Sequence, residues 1–188
     1  MNKTALIVVD MIYDFTNPKG KVFYPQNEKI IPDLADFIEY TRHNDCHIVF
    51  VEHTVKKEDF LKQKIKMREC CIEGTGGNVT DTRLNCDREN DIIIKKGKYS
   101  AFFNTDLEFI LRQKKIENLL ICGTKTNNCI FATALDAYYR DYNTYVIKDL
   151  VGTNDDLTND IYLRDLDRYV AKVKTTQELK ALFESGDL

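Results

Sequence analysis

Short apolar runs alternate along this chain with longer amphipathic stretches, and this alternation restricts the fold more than any other feature. The apolar runs cover residues 5–9, 47–52, 91–95, 118–122, 144–148 and 169–173. Several of them are almost continuously apolar, which is typical of parallel strands that helices cover on both faces. Strand and helix follow each other repeatedly, so the sequence predicts a doubly wound α/β fold.

The stretches between the apolar runs carry helical signals. The pattern predicts helices over residues 28–44, 105–115, 128–141, 156–167 and 176–185, with a further short helix after Thr54. The last helix begins with Thr175 and has Glu178 three positions later, which is the spacing of a capping box. The length of 188 residues and the lack of a linker-like segment predict a single domain over residues 1–188.

Charge and composition exclude some classes of protein. A net charge of −3 leaves no basic surface typical of nucleic-acid binding, and we expect no nucleic-acid partner. No apolar run approaches the roughly 20 residues needed to span a membrane, and the N-terminus does not resemble a signal peptide. We therefore expect a cytoplasmic protein without a membrane partner, whose six cysteines are mostly reduced.

Three predicted strand ends carry chemically capable side chains. The first strand leads into Asp10, the third ends at Lys95 and Lys96, and the loop after the fourth leads to Cys129. Ligands of doubly wound sheets bind beyond the carboxyl ends of the strands. These residues are therefore candidates for one site.

The three residue types form a consistent set for nucleophilic catalysis. A helix N-terminus and a lysine both favour the thiolate form of a cysteine. An aspartate can take the thiol proton and return it to a leaving amine. Each residue also has an ordinary structural interpretation, because Cys129 can be a small core residue, Asp10 a cap and Lys96 a solvated strand end. Spacing alone does not show that they meet.

Three stretches of the sequence resemble the isochorismatase-like cysteine hydrolases, a family that includes nicotinamidases and related amidases. "ALIVVDMIYDF" resembles the first-strand motif with its catalytic aspartate at Asp10. "KGKYSAFFNTDLEFIL" resembles the segment with the catalytic lysine at Lys96, and "LLICGTKTNNCIF" resembles the motif with the nucleophile at Cys129. The turn "CIEGTGG" is also similar to one in this family, and the resemblance covers most of residues 4 to 173.

The resemblance carries expectations about fold and site. It implies three layers, with helices on both faces of a six-stranded parallel sheet. It also implies a cis peptide bond between Thr124 and Lys125, and an oxyanion bound by the backbone amides of Lys125 and Cys129. Family members are commonly oligomers, so a homo-oligomer is expected.

Departures from the family pattern bear on cofactor and substrate. Nicotinamidases of this family bind a divalent metal through an aspartate and two histidines, and these positions fall on Glu52, Thr54 and Cys70 here. We therefore expect no metal and no other cofactor, although Glu52 and Cys70 leave a divalent ion open as an alternative. Glu52 is expected to orient substrate or to cap a strand end.

Aromatic residues flank the proposed catalytic residues and are candidates for substrate contacts. Phe15 and Tyr99 are the two that we assign to substrate binding, while Tyr13 and Phe102 are further candidates for the same wall. Each of the four can instead belong to the core.

The sequence thus predicts a cysteine-dependent amidohydrolase that cleaves a small carboxamide through a thioester. Its partner would be the small-molecule amide alone. Three alternatives stay open, namely an isochorismatase-type vinyl-ether hydrolase, a nicotinamidase, and a non-catalytic binding relative. Ether hydrolysis has no clear need for Cys129, which favours acyl transfer.

Overall fold

The fold is a three-layer α/β/α arrangement around one parallel sheet. A computed structural model describes residues 3–62 and 69–188. The sheet has six strands in the order β3-β2-β1-β4-β5-β6. The strands are β1 (Thr4–Val9), β2 (His47–His53), β3 (Ile92–Lys96), β4 (Asn118–Thr124), β5 (Asn143–Gly152) and β6 (Lys172–Lys174). All the strand pairs are parallel, so the predicted fold class is confirmed.

Helices connect the strands. They are α1 (Tyr13–Thr16), α2 (Pro25–His43), α3 (Lys57–Lys62), α4 (Leu107–Gln113), α5 (Phe131–Tyr138), α6 (Asp156–Tyr169) and α7 (Thr176–Ser185). A 3₁₀ turn spans Thr82–Leu84, and a π-helical turn spans Thr126–Ile130. The predicted short helix after Thr54 corresponds to α3, and the predicted capping box at Thr175 is present.

Two apolar clusters lie on opposite faces of the sheet, and together they explain the continuous apolar runs. Ala5, Ile7 and Val9 of β1 pack with buried residues of α4, α5 and α6. Leu6 and Val8, the residues between them, pack with α2 and α7 instead. Successive side chains of a strand point to opposite faces, so a strand covered on both faces needs apolar residues at every position.

Several predicted boundaries differ from the structure. The predicted strand 169–173 is wrong at its start, because α6 continues to Tyr169 and only Lys172–Lys174 form β6. The first long helix starts at Pro25, ahead of the predicted residue 28, since proline is favoured in the first helical turn. The strand predicted over 144–148 continues to Gly152. The predicted helix 128–141 is a π-helical turn followed by the shorter α5.

The strand order changes direction between β1 and β4, which are neighbours in the sheet. Strands β2 and β3 extend the sheet on one side of β1, and β4, β5 and β6 extend it on the other. The carboxyl ends of β1 and β4 therefore border the crevice in which such sheets bind ligands. Within the described residues, no helix is both long enough and apolar enough to cross a membrane.

Candidate active site

Asp10 follows β1 directly and lies at the crevice. Its backbone adopts a left-handed conformation with φ of 55°, and its amide donates a 2.9 Å hydrogen bond to the Val51 carbonyl on β2. The side chain is fully buried. Its Oδ2 atom accepts a 2.7 Å hydrogen bond from Lys96 Nζ, whereas Oδ1 has no partner within the described part of the chain. One carboxylate oxygen is therefore left to accept a proton.

Lys96 is the last residue of β3, and its side chain reaches past β2 to Asp10. Its Nζ also lies 3.4 Å from Cys129 Sγ and donates a 3.0 Å hydrogen bond to the Lys98 carbonyl. Burial lowers the pKa of Lys96, but the Asp10 carboxylate and then Cys129 raise it, and the net shift is upward. The side chain is thus a buried ammonium that contacts both other candidate catalytic residues.

Gly123 sets the path of the loop that follows β4. Its φ of 108° is in the region that favours glycine, and a Cβ at this position would lie 2.1 Å from the Val9 carbonyl oxygen. The peptide bond between Thr124 and Lys125 is cis, as the resemblance implied. The amides of Asn128 and Ile130 both donate to the Lys125 carbonyl, at 3.0 and 3.1 Å, and so close the turn that holds Cys129.

Cys129 lies within the π-helical turn and is only 8% exposed. Burial, followed by the Asp10 carboxylate, raises the pKa of its thiol to about 12, and Lys96 lowers it by less. Lys96 therefore favours the thiolate, as expected, but burial and Asp10 outweigh it, so that the net shift is upward. Desolvation disfavours the charged form, and the adjacent carboxylate adds to that effect. The resting site holds a thiol, a carboxylate and an ammonium.

His53, at the end of β2, completes the buried polar cluster. Its Nδ1 lies 3.4 Å from Lys96 Nζ. Burial lowers the pKa of His53 to about 4, and the positive charges of Lys96 and Lys98 act in the same direction, against the opposing effect of Asp10. The imidazole is therefore neutral near pH 7 and adds no charge to the site.

A cavity of about 320 Å³ opens onto these residues. Its wall contains acidic, basic, amide and aromatic side chains, together with two cysteines. The lining residues are Asp10, Phe15, Val22, Tyr24, His53, Cys70, Tyr99, Lys125, Asn128, Cys129 and Asn154. A volume of this size is at the small end of ligand pockets, which typically measure about 300–1,000 Å³.

The predicted aromatic contacts divide into two groups. Phe15 and Tyr99 line the cavity, and Tyr99 is 55% exposed at its mouth. Phe102 is buried in the core beside α4 and α5, and Tyr13 lies outside the cavity wall. Of these four aromatic residues, the two that line the cavity are therefore the two assigned to substrate binding.

Glu52 does not lie on the cavity wall, although we predicted that it binds substrate. It is 1% exposed, and its Oε1 accepts 2.9 Å hydrogen bonds from both the amide and the hydroxyl of Thr80. The Arg88 guanidinium also contacts the same oxygen. The carboxylate thus joins the end of β2 to the 78–90 region, so its role in this structure is to hold a strand end.

The same contacts bear on the divalent metal of nicotinamidases. The Arg88 guanidinium on the Glu52 carboxylate competes with a cation for that charge, and of the three positions only Cys70 lines the cavity. Within residues 3–62 and 69–188, no group of three or more His, Cys, Asp or Glu side chains is arranged to hold a metal ion. The residues that the structure describes do not fit the ion.

Sequence reasoning missed five lining residues, namely Val22, Tyr24, His53, Asn128 and Asn154. Asn154 follows β5, whose predicted end at residue 148 was four residues too early. The strand-end rule would have indicated Asn154 if the strand had been extended through the apolar pair Leu150 and Val151.

Comparison with known proteins gives relatives over nearly the whole length. The sequence matches the isochorismatase domain over residues 4–178. It is 29% identical over 175 residues to the uncharacterized isochorismatase family protein YaaI of Bacillus subtilis, covering 93% of this chain and 94% of that protein. It is also 22% identical over 182 residues to the maleamate amidohydrolase of Pseudomonas putida, covering 94% of this chain and 84% of the enzyme.

Solved structures agree with these relatives. The N-carbamoylsarcosine amidase of Thermoplasma acidophilum superposes with a TM-score of 0.81 at 28% identity, covering 94% of this chain and 97% of that one. The domain match spans most of the sequence and includes the positions of Asp10, Lys96 and Cys129. This chain belongs to the isochorismatase family of hydrolases.

Proposed function

We propose that this chain is a cysteine-dependent amidohydrolase that cleaves a small carboxamide through a thioester. The observation that carries the proposal is the position of Lys96 Nζ, which lies 2.7 Å from Asp10 Oδ2 and 3.4 Å from Cys129 Sγ beside a ligand-sized cavity. Relatives named as an amidohydrolase and an amidase support cleavage of an amide C–N bond.

The acylation half-reaction uses all three side chains. Asp10 takes the proton of the Cys129 thiol as the sulfur attacks the amide carbonyl carbon, so a C–S bond forms and the carbonyl oxygen becomes an oxyanion. The backbone amides of Lys125 and Cys129 donate hydrogen bonds to that oxyanion. Asp10 then gives its proton to the leaving nitrogen, the C–N bond breaks, and ammonia or an amine departs.

Hydrolysis of the thioester restores the site. Asp10 takes a proton from a water molecule as the water oxygen attacks the thioester carbonyl. The C–S bond breaks, the carboxylic acid leaves, and the proton returns to Cys129. Lys96 keeps Asp10 in place and offsets the negative charge that moves between the carboxylate and the sulfur. No step needs a metal, so dialysis against EDTA should leave turnover unchanged.

The proposal is tested by ammonia release from a panel of nicotinamide, pyrazinamide, carbamoyl and ureido compounds. Replacement of the nucleophile in Cys129→Ala should lower kcat/KM by roughly 10⁴-fold or more. Cys86→Ala is the matched control, because Cys86 is a partly buried cysteine outside the cavity wall. Iodoacetamide should inactivate the protein in step with labelling of Cys129, measured by peptide mass spectrometry.

The alternatives give different results in the same assays. Full turnover in Cys129→Ala combined with its loss in Asp10→Asn would replace the thioester route with proton-transfer chemistry of the ether-hydrolase type. No turnover of any amide by the unmodified protein would favour a non-catalytic binding protein.

A further inference from the structure

Two adjacent cysteines, Cys70 and Cys71, lie beside the cavity and take no part in the proposed mechanism. Both carry thiols rather than a disulfide. Cys70 lines the cavity and is 8% exposed, whereas Cys71 is fully buried. A small reagent that enters the cavity therefore reaches Cys70 first.

The two thiols of this pair contact each other. A hydrogen bond with Cys70, followed by burial, raises the pKa of Cys71. A hydrogen bond raises the pKa of a thiol when that thiol is the donor, because the bond stabilises its protonated form. Cys71 thus donates to the Cys70 sulfur and favours ionisation there. Since the thiolate is the form that attacks an oxidant, the reactive sulfur belongs to the residue on the cavity wall.

The backbone of Cys71 is strained and is anchored on both sides. Its φ of 58° lies in the left-handed region, which residues with a Cβ rarely adopt. The Cys71 amide donates a 2.7 Å hydrogen bond to Asp14 Oδ2, and the Cys71 carbonyl accepts a 2.9 Å hydrogen bond from the Val55 amide. Asp14 precedes Phe15 and Val55 follows two residues after His53, and both Phe15 and His53 line the cavity. A change in this backbone therefore acts on two segments of the wall.

The side chains of the pair belong to an apolar cluster that forms part of the same wall. Besides the two cysteines, this cluster contains Ile12 and Val22, with Phe15 and Tyr24 packed against it. Val22, Phe15 and Tyr24 line the cavity. Because protein interiors are close-packed, new positions of the two sulfurs displace these neighbours.

We propose that Cys70 and Cys71 form a reversible oxidation site, at which hydrogen peroxide converts the two thiols into a disulfide that reshapes the cavity wall. The Cys70 sulfur attacks a peroxide oxygen, so an S–O bond forms, the O–O bond breaks, and Cys70 becomes a sulfenic acid as water leaves. The Cys71 sulfur then attacks the Cys70 sulfur. The S–S bond forms, the S–O bond breaks, and the Cys71 proton leaves with the hydroxide as a second water. The two cysteines lose two electrons, which the peroxide gains.

A disulfide between neighbours in sequence is readily reduced again. Consecutive Cα atoms are about 3.8 Å apart across a trans peptide, whereas the Cα atoms of disulfide-bonded residues are usually about 4.4–6.8 Å apart. The product is therefore strained, and strained disulfides have the high reduction potentials of labile, regulatory bonds. Formation of this disulfide does not depend on the proposed amidohydrolase function, whereas its effect on turnover rests on that function.

The first test follows the disulfide by peptide mass spectrometry. The unmodified protein and Cys129→Ala protein are treated with hydrogen peroxide, alkylated with iodoacetamide and digested with trypsin without reduction. Trypsin cleaves after arginine, so the pair falls in one peptide, residues 69–83, which holds no other cysteine. In both proteins this peptide should lose the mass of two hydrogen atoms and escape alkylation. Dithiothreitol should reverse both changes.

Three results of this experiment would overturn the proposal. The first is a peptide 69–83 that stays fully alkylated after peroxide treatment. The second is oxidation of Cys70 to a sulfinic or sulfonic acid without a disulfide. The third is a cross-link between peptide 69–83 and peptide 126–140, which would pair the site with Cys129 instead.

The second test measures the effect on the active site, with each protein compared with its own untreated sample. In the unmodified protein, kcat/KM should fall by about 10-fold or more as the disulfide forms, because small displacements at an active site are costly, and dithiothreitol should restore it. Cys70→Ser and Cys71→Ser each remove one thiol of the pair and should keep a larger share of their turnover. Cys86→Ala is the matched control, since Cys86 is a partly buried cysteine outside the cavity wall, and it should respond as the unmodified protein does.

Equal losses in the unmodified protein and in both serine variants would assign the inactivation to Cys129 and overturn the effect on the wall. The rate of Cys129 alkylation by iodoacetamide gives a readout that needs no turnover. This rate should differ between the reduced and the disulfide form. Equal rates would show that the cavity wall is unchanged, whereas a changed rate without any amide turnover would retain the oxidation site and reject the hydrolase mechanism.

Discussion

Burial dominates the pKa of the Cys129 thiol, whereas charge pairing outweighs burial for the pKa of the Lys96 ammonium. The Cys129 thiol has a pKa raised to about 12, chiefly by desolvation and then by Asp10, while the pKa of Lys96 is raised by its pairing with Asp10. In the proposed mechanism, the sulfur would lose its proton only as it attacks the substrate. A thiol with a raised pKa is mostly protonated near pH 7.

The Asp10→Asn variant should separate thiol reactivity from turnover. The neutral amide removes the carboxylate that raises the pKa of Cys129, while Lys96 still lowers that pKa. The thiol should therefore react faster with iodoacetamide at a given pH, even though amide turnover falls for lack of a base. Rates are measured between about pH 6 and pH 10 by mass spectrometry of the Cys129 peptide.

Alkylation of Cys86 in the same samples is the internal control, since this cysteine lies outside the cavity wall. Slower alkylation of Cys129 in Asp10→Asn, or turnover equal to that of the unmodified protein, would contradict the assignment of Asp10 as the base.

His53 should make the folded state sensitive to mild acid. Its folded pKa of about 4 is below the ordinary value of 6.5, so the unfolded chain binds the proton more tightly between these values. The free energy of unfolding therefore falls as the pH is lowered through about 6.5 toward 4, by about 2 kcal/mol between pH 7 and pH 5. Urea unfolding at about pH 7 and pH 5 measures this difference.

The variant His53→Gln should show a smaller loss of stability between the two pH values. His43→Gln is the control, because His43 is an exposed residue near the end of α2. An unchanged pH dependence in His53→Gln would show that other groups cause it.

At the scale of helices and strands, the sequence identified the elements but not all of their ends. Continuous apolar runs predict buried parallel strands because both faces of the sheet are covered, and this is a local signal. The end of β5 was missed because Lys148 and Asp149 interrupt its apolar pattern, although both are exposed positions in a strand that continues to Gly152. That omission hid Asn154.

The π-helical turn at Thr126–Ile130 was also missed. Its sequence, "TNNCI", satisfies the pattern of an ordinary helix start, and the wider turn depends on the path that Gly123 gives the loop. The sequence could therefore predict that Cys129 lies at a strand end, but not that it is buried there. The burial is what reverses the expected direction of its pKa shift.

Gly123→Ala tests whether this loop path is essential. The added Cβ would lie 2.1 Å from the Val9 carbonyl oxygen at a backbone φ of 108°, so β1 and β4 must separate. We expect a loss of about 2 kcal/mol or more in the free energy of unfolding, together with a large loss of kcat. Urea unfolding and ammonia release measure the two effects.

Gly186→Ala is the matched control, because Gly186 also has a positive φ of 79° but no atom lies within 4 Å of the added Cβ. It should lose about 1 kcal/mol of stability and keep its turnover. Equal effects of the two substitutions would show that the close approach to Val9 is unimportant.

At the scale of the whole molecule, the two helical layers depend on one sheet. Leu34 of α2 and Leu111 of α4 are both fully buried, but they lie on opposite faces. Every strand in the centre of the sheet contributes side chains to both clusters, so neither layer can lose its packing without affecting the other. The single domain predicted from the chain length stays a prediction, which this shared centre supports.

Leu34→Ala and Leu111→Ala should each lower the stability of the same cooperative transition. The expected loss is about 2–5 kcal/mol for each variant, since each leaves a cavity in a packed core. Circular dichroism and tyrosine fluorescence should give coincident melting curves at one fixed protein concentration, which matters because we expect a homo-oligomer. Two separate transitions would instead indicate two independent units.

The position of β3 at the border of the sheet has a consequence for how the protein is inactivated. Among the described strands it pairs with β2 alone, yet it supplies the ammonium that contacts both the carboxylate and the sulfur. Local unfolding of this outer strand would therefore remove Lys96 from Asp10 and Cys129 while the interior strands stay paired. On gentle heating, we expect turnover to be lost at a lower temperature than the one at which the whole fold unfolds.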